Sequence, residues 1–386
     1  MNIGLSTTMI QRGKSGVAQY VFALVRALLS EDHSHRLHLF VLEDDLPLFD
    51  FVKEQARKIP VPERCRSAVK NILWHQLRLP ALARHLDLNV LHIPSYRRLL
   101  WRKPCALVAT IHDLAPFHVS GKYDPARMFY GKVVVRHLAR RQDEIIAISS
   151  NTAHDIERFF GIPKTRQNVV LNGIDPDRFF PSDAAQARIE AASRWRLTEP
   201  FFLYISRLEH PAKNHVRLIE AFSTFKAATR SSWLLVLAGS DWHGAEAIRA
   251  AAQTSPCQAD IRFTGFVADN DLATLYRAAG AFVYPSLFEG FGFPPVEAMA
   301  CGCPVISSPR GSLEEVVAQA ALVVDPENVA DIAKALERLA TDPTCRKRLI
   351  EAGFQNARRF DWRLNARSVL KVYERAARRS LNVRYP

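Results

Sequence analysis

No run of apolar residues in this 386-residue chain approaches the ~18–20 needed to cross a bilayer as a helix. The first residues, Met1-Asn-Ile-Gly-Leu-Ser6, lack the basic-then-apolar pattern of a secretory leader, so the expectation is a protein that stays in the cytoplasm. The six cysteines (65, 105, 257, 301, 303 and 345) form no CxxC pair and no Cys/His cluster at metal-ligand spacing. Free buried thiols in a reducing compartment are expected instead. Internal repeats and low-complexity stretches are absent too. Several nucleotide motifs begin and fail. Gly13-Lys-Ser15 has Thr8 where a P-loop needs its first glycine, and Gly290-Phe-Gly292 has Pro295 where a dinucleotide fingerprint needs its third. Asp175-Pro-Asp177 mimics a metal-binding DxD but follows no strand, and no GxSxG elbow occurs. P-loop kinase, dehydrogenase and serine-hydrolase readings fall away.

What is there is an ordinary globular composition, 48% hydrophobic and 24% charged, in a chain longer than one core usually supports. Two domains are expected. The net charge of +13 is unevenly spread. Residues 97–141 carry ten Lys/Arg against Asp113 and Asp124, and residues 53–84 carry eight against Glu54 and Glu63. Apolar side chains interleave the cations in both stretches, as in Trp74-His-Gln-Leu77-Arg-Leu79. Such basic amphipathic segments fit a protein lying on anionic lipid without crossing it, or simply a solvated basic face. Nucleic acid is not expected as a partner, because no recognisable binding module accompanies the charge.

Short apolar runs alternate with longer helical patterns. Expected strands are Asn2–Ser6, Leu37–Leu42, Val90–Ile93, Ala106–Ile111, Ile145–Ser149 and Asn168–Leu171, then Phe201–Ser206, Trp233–Ala238, Ile261–Thr264, Ala281–Tyr284, Pro304–Ser307 and Leu322–Val324. This alternation implies an α/β protein with parallel sheets, right-handed crossovers and ligands at the strands' C-terminal ends. The period breaks near Asp175-Pro-Asp-Arg-Phe-Phe-Pro-Ser-Asp. The boundaries read from it are an N-terminal domain over 1–178, a linker over 179–199, a second domain over 200–361 and a terminal basic helix within 362–386.

The most telling stretch is Ser286-Leu-Phe-Glu289-Gly-Phe-Gly-Phe-Pro-Pro-Val-Glu297-Ala-Met-Ala-Cys-Gly302. It places two carboxylates around a glycine- and proline-rich turn between a buried strand and a helix expected over Pro295–Cys301. Gly290 and Gly292 let the backbone approach a ligand, and N–H groups through Phe291 and Phe293 at a helix start favour an anion. Glu289 and Glu297 can accept bonds from hydroxyls. Phosphate beside hydroxyl acceptors suggests a sugar nucleotide, the plain alternative being an α/β turn with two solvated glutamates. Three further loops fit the same chemistry. Gly13-Lys-Ser-Gly16 opens a helix, as an anion cradle or as a tight turn. Thr110-Ile-His112-Asp113 ends a strand, which turns His112 toward a crevice unless it is a structural histidine. Arg207 and Lys213, on a loop after the strand at 201, offer two cations to one diphosphate.

These motifs, in this order and over essentially the whole chain, resemble retaining glycosyltransferases of family 4. The resemblance implies the GT-B architecture, two Rossmann-like domains facing each other across a cleft, with the last helix returning to the N-terminal domain. It implies His112 near the reacting sugar carbon, Arg207 and Lys213 on the leaving diphosphate, Glu289 on sugar hydroxyls, Glu297 on ribose hydroxyls, and Gly16 facing the diphosphate. Ala212 departs from the glycine usual before the lysine. Arg310 and Glu314 depart from the family's next loop, so only Glu315 is carried over there, as structural. No covalent nucleophile stands out; a front-face mechanism needs none, nor is a metal cofactor expected where two cations meet the diphosphate.

The stretch Leu91-His-Ile-Pro94, with Ile111-His-Asp-Leu-Ala-Pro116-Phe, is similar to bacterial mannosyltransferases of the family and favours GDP-mannose. A UDP-sugar donor is the alternative within the fold. The acceptor implied is a lipid-linked saccharide of surface polysaccharide assembly, met at the inner face of a membrane. A non-catalytic basic binding protein for membrane or nucleic acid is the rival of another class.

Overall fold

The computed structural model describes residues 1–13, 15–31, 34–118 and 129–384. Lys14 of the glycine turn, residues 119–128 of the basic stretch 97–141, and residues 385–386 lie outside them. The chain divides into two compact units, Met1–Gly173 with Asp361–Pro386, and Ile174–Phe360.

The first unit is a seven-stranded parallel sheet: β1 (Asn2–Ser6), β2 (Arg36–Leu42), β3 (Ala56–Val61), β4 (Val90–Ile93), β5 (Ala106–Ile111), β6 (Glu144–Ala147) and β7 (Gln167–Val169). Its spatial order is β3-β2-β1-β4-β5-β6-β7, with Ile3 in register with Leu37 on one side and Val90 on the other. Helices cover both faces, which is why β4 and β5 are buried at every position. The last helix, Trp362–Arg384, belongs here. Ala366, Val369, Val372, Tyr373 and Ala376 recur at helical spacing and join Leu24, Val25 and Leu28 of the helix Gly16–Glu31 in one core.

The second unit is a six-stranded parallel sheet: β8 (Phe201–Ile205), β9 (Leu234–Ala238), β10 (Ile261–Gly265), β11 (Ala281–Tyr284), β12 (Val305–Ser307) and β13 (Ala321–Val323), in the order β10-β9-β8-β11-β12-β13. The strand order reverses between β1 and β4 in one sheet and between β8 and β11 in the other. A crevice opens at such switch points in doubly wound folds.

Four expectations need correction. β3 was not foreseen: Ala56-Arg-Lys-Ile-Pro-Val61 carries two cations and a proline, which an edge strand tolerates because one flank needs no ladder bonds. The interval 179–199 is no bare linker, since Asp183 caps a helix over Ala184–Trp195 by accepting from Ala185 N and Gln186 N. The chain passes between units at 173/174 rather than at 178. The helix after Gly292 begins at Phe293, ahead of Pro295, because prolines at 294 and 295 suit the first turn, where N–H groups lack helical partners.

Candidate functional site

In the second unit, three loops leaving β8, β11 and β12 are bound to one another. Tyr204 OH donates to Lys213 O at 2.5 Å, and Leu287 N donates to Ala212 O at 3.0 Å. Asn214, in left-handed backbone at φ 61°, sends its Nδ2 to Pro285 O (3.0 Å) and Pro326 O (2.6 Å). These bonds hold the backbone on both sides of Lys213. Its Nζ meets Glu289 Oε1 at 2.6 Å, with the two side chains 17% and 13% exposed. Burial pushes the Glu289 carboxyl up; the Lys213 charge, with hydrogen bonds from Lys213, Ser286 and Tyr284, outweighs it and leaves the group below its ordinary value. Glu289 is therefore an anion at neutral pH.

The loop after β12 fixes the turn from the other side. Ser308 Oγ donates to Ser286 O at 2.6 Å, while Ser312 donates from N and Oγ to Glu289 O, both at 3.1 Å. Gly311 (φ 67°) runs bridged against Glu289, and a Cβ there would collide with the Glu289 backbone. Gly292 takes φ 97° and caps the helix Phe293–Ala300. The Phe291 ring is buried against Phe293 and Phe360, at centroid distances of 4.9 and 5.7 Å, which leaves its backbone as the part a ligand can meet. Because Pro294 and Pro295 have no N–H, the positive end of this helix rests on the N–H groups from Gly290 to Phe293 and on Val296.

Glu297 sits on that helix, one turn in. Tyr276 OH donates to its Oε2 at 2.9 Å. Burial pushes its carboxyl up to about 7, against the pull of Arg178 and Tyr276, so its charge changes near neutrality. Arg178 is itself paired with Asp269 at 3.5 Å. Arg207 is the exposed cation of the group, 56% accessible, lying 4.7 Å over the Trp242 ring and 3.4 Å from Glu209. The structure thus joins Lys213 to Glu289 directly, while Arg207 and Glu297 each have separate partners.

His112 and Gly16 belong to the first unit. His112 follows β5; its Nε2 donates to Pro94 O at 3.2 Å and its ring meets Tyr20 edge-on at 4.7 Å. Burial lowers its pKa more than Asp113 and the Pro94 bond raise it, so the imidazole is neutral at pH 7. Below it runs a buried polar chain: Tyr20 OH with Thr110 Oγ1 (3.1 Å), Thr110 Oγ1 with His92 Nε2 (2.8 Å), His92 Nδ1 with Tyr373 OH (2.7 Å). Gly16 starts the helix Gly16–Glu31, and a Cβ built there would meet nothing within 4 Å. Among the described residues no three His, Cys, Asp or Glu side chains gather as a metal site requires, and no helix is long and apolar enough to cross a membrane.

Sequence reasoning missed Tyr204, Asn214, Tyr276, Arg178, Gly311 and Ser312. Apart from Asn214, which adjoins Lys213, they act from elsewhere in the chain, Arg178 from 119 positions before Glu297 (297 − 178), so no local spacing announces them.

Residues 185–356 match the family described as glycosyl transferases group 1, and residues 14–178 match glycosyltransferase family 4. The chain is 32% identical over 286 residues to the serotype-specific mannosyltransferase WbdA of Escherichia coli, covering 72% of this chain and 35% of WbdA. It therefore spans about a third of that relative's length. It is 30% identical over 268 residues to the O-antigen chain mannosyltransferase B of Escherichia coli, covering 69% of this chain and 70% of the relative. A sucrose-phosphate synthase from Thermosynechococcus elongatus superposes with a TM-score of 0.78 at 21% identity, over 97% of this chain and 98% of that one.

Proposed function

This chain belongs to glycosyltransferase family 4, and from that premise we propose that it transfers a hexose from a nucleotide sugar with retention at the anomeric carbon. The observation that carries this reading is the Lys213–Glu289 contact at 2.6 Å beside the Gly292-capped helix. It sets a cation for a diphosphate and a carboxylate for sugar hydroxyls at the C-terminal ends of the two central strands, β8 and β11. Without donor the two neutralise each other; a bound diphosphate would draw Lys213 and free Glu289 oxygens for hydroxyl donors.

In the step itself, the acceptor hydroxyl oxygen attacks C1 from the face the leaving group departs. The bond from C1 to the phosphate oxygen breaks, and the hydroxyl proton passes to the departing diphosphate. Lys213, Arg207 and the N–H groups at 290–293 stabilise the charge growing on that diphosphate. Glu297 accepts from ribose hydroxyls. Side-chain cations at the diphosphate make a metal unnecessary: activity should survive EDTA, and complete loss restored only by Mg²⁺ or Mn²⁺ would sink that part.

GDP-mannose is the favoured donor, on the strength of two relatives named as mannosyltransferases. A lipid-linked saccharide of polysaccharide assembly is the favoured acceptor, met by a protein peripheral to the inner face of a membrane. The test is a thermal-shift panel with GDP, UDP, ADP and CMP, repeated on Glu297→Ala. A nucleotide at 100 times its Kd adds about 2.7 kcal/mol of stability. Selective stabilisation by GDP, lost in the variant, is expected. Selective stabilisation by UDP would move the donor to a UDP-sugar, and no shift with any nucleotide would overturn the donor site.

A further inference from the structure

Of the fourteen large apolar side chains left exposed among the described residues, six fall on neighbouring segments of the first unit. Val69, Leu73 and Leu77 repeat every four residues on the helix Ala68–Leu77, whose other face buries Asn71, Trp74 and His75. Phe129 and Val133 repeat at the same interval where the helical segment Tyr130–Val135 begins, continuing as Arg136–Arg140 with Leu138 and Ala139 buried. With Trp101 between them in sequence, these six side chains are 50% to 71% exposed. Single exposed apolar residues are ordinary; two ridges of them are not.

The ridges are built into one another. Gln76 Nε2 donates to Leu99 O and its Oε1 accepts from Trp101 N, each at 2.8 Å. Arg98 Nε donates to Asn71 Oδ1 at 2.6 Å, and Tyr130 OH donates to Arg97 O at 3.3 Å. The Trp101 ring, rooted on the first helix through Gln76, stacks on His137 of the second at 5.3 Å. His137 lies four residues beyond Val133, so Trp101 joins the two ridges.

Charge identifies the occupant. Lys70, Arg78, Arg102, Lys132, Arg136 and Arg141 are exposed on or beside the ridges, and residues 64–86, 95–103 and 129–142 contain no Asp or Glu. Aliphatic ridges with a tryptophan and a fringe of long-stemmed cations match the boundary between acyl chains and anionic headgroups. Single-stranded nucleic acid would call for a row of aromatic platforms, whereas this face offers Phe129 and a Trp101 already stacked on His137, with the other four ridge side chains aliphatic. We propose that this face docks the protein on an anionic phospholipid bilayer, with Leu73, Leu77, Trp101, Phe129 and Val133 entering the interface and the cations resting on lipid phosphates. This deepens the proposed function by locating its membrane partner, and it rests on that reading only in taking the bilayer as the acceptor's home.

The test uses the full chain and vesicles of phosphatidylcholine alone or mixed equally with phosphatidylglycerol, with neither nucleotide nor acceptor present. The protein should sediment with the mixed vesicles, and less so as salt rises. Leu73→Ser with Leu77→Ser should lower partitioning at least about tenfold. Lys70→Glu or Arg136→Glu should lower it roughly fivefold or more. Ile189→Ser, an exposed apolar residue of the other unit, should change nothing. Trp101→Phe should remove the blue shift of tryptophan emission on vesicle addition. Unchanged nucleotide-induced thermal shifts in each variant establish that the fold is kept. Wild-type protein left in the supernatant, or a double serine variant that sediments like wild type, overturns the proposal. Tighter salt-sensitive retention on DNA than on vesicles overturns it in favour of nucleic acid. Because donor binding is measured without lipid and lipid binding without donor, either reading can fail alone.

Discussion

Both units wind a parallel sheet outward from a central pair, β1 and β4 in one, β8 and β11 in the other, yet they place their polar side chains differently. In the second unit the charged groups stand in loops at the strands' C-terminal ends, where Lys213, Glu289 and Ser312 tie three loops together. In the first, polar groups run beneath the surface, from Tyr20 through Thr110 and His92 to Tyr373 and from Ser6 to His75. Its outer surface carries apolar ridges instead. One topology thus carries its polar groups in two ways, as tied loops at the strand ends of one unit and as a buried hydrogen-bonded chain in the other.

The largest effect that would break this contrast is on chemistry. Lys213→Ala should cost about 10²–10³-fold in kcat/KM, roughly 2–4 kcal/mol of barrier, with the fold retained by circular dichroism. An active variant would show that the second unit's loops are not the reacting site. Next comes loop geometry. Gly311→Ala forces a Cβ into the Glu289 backbone at a positive φ and should lose about 2–4 kcal/mol on denaturant unfolding. Gly16→Ala, in open space at a helix start, should stay within about 1 kcal/mol of wild type.

A smaller effect should separate the buried chain from the site. Tyr373→Phe leaves the buried His92 Nδ1 without its partner and should cost about 1–3 kcal/mol. Nucleotide-induced thermal shifts should persist; their loss would tie the two units' polar groups together. The gentlest probe is pH. Glu297 ionises only near pH 7 in the folded chain, above its ordinary value of 4.5. A raised carboxyl pKa means that the folded state holds its proton longer, so this group's stabilisation is full below about 4.5 and fades as pH rises through about 7. Nucleotide affinity should move the opposite way, rising through pH 7 as the carboxylate becomes able to accept ribose hydroxyls. Titration calorimetry on Glu297→Gln should show that dependence flattened; an unchanged profile would remove Glu297 from the ribose.

Strands such as Val90–Ile93 and Ala281–Tyr284 were legible because both faces are buried, and a continuous apolar run between turn residues admits little else. β3 was not, since half of it is solvated and its pattern includes Arg57, Lys58 and Pro60. The helix Ala184–Trp195 hid for a related reason: it buries only Ala187 and Ala191, too thin a stripe to mark a period. At the site, Glu289 and Lys213 were legible as types at strand ends, but their mutual contact was not, since it depends on β8 and β11 being neighbours in the sheet. The raised pKa of Glu297 was not, because it comes from burial in the folded unit, against the downward pull of Arg178 and Tyr276.

The position of Trp362–Arg384 has a consequence for the order in which the chain is made. The first unit is discontinuous, closed by a helix synthesised only after the whole of Ile174–Phe360. Until then, the apolar surface that Val369, Val372 and Ala376 will cover stays open, and His92 waits for Tyr373. The second unit, by contrast, is a single uninterrupted segment whose strands can all pair as soon as they emerge. During vectorial synthesis the C-terminal sheet is thus free to reach its native state first, and the N-terminal sheet, though older on the ribosome, is the one completed last.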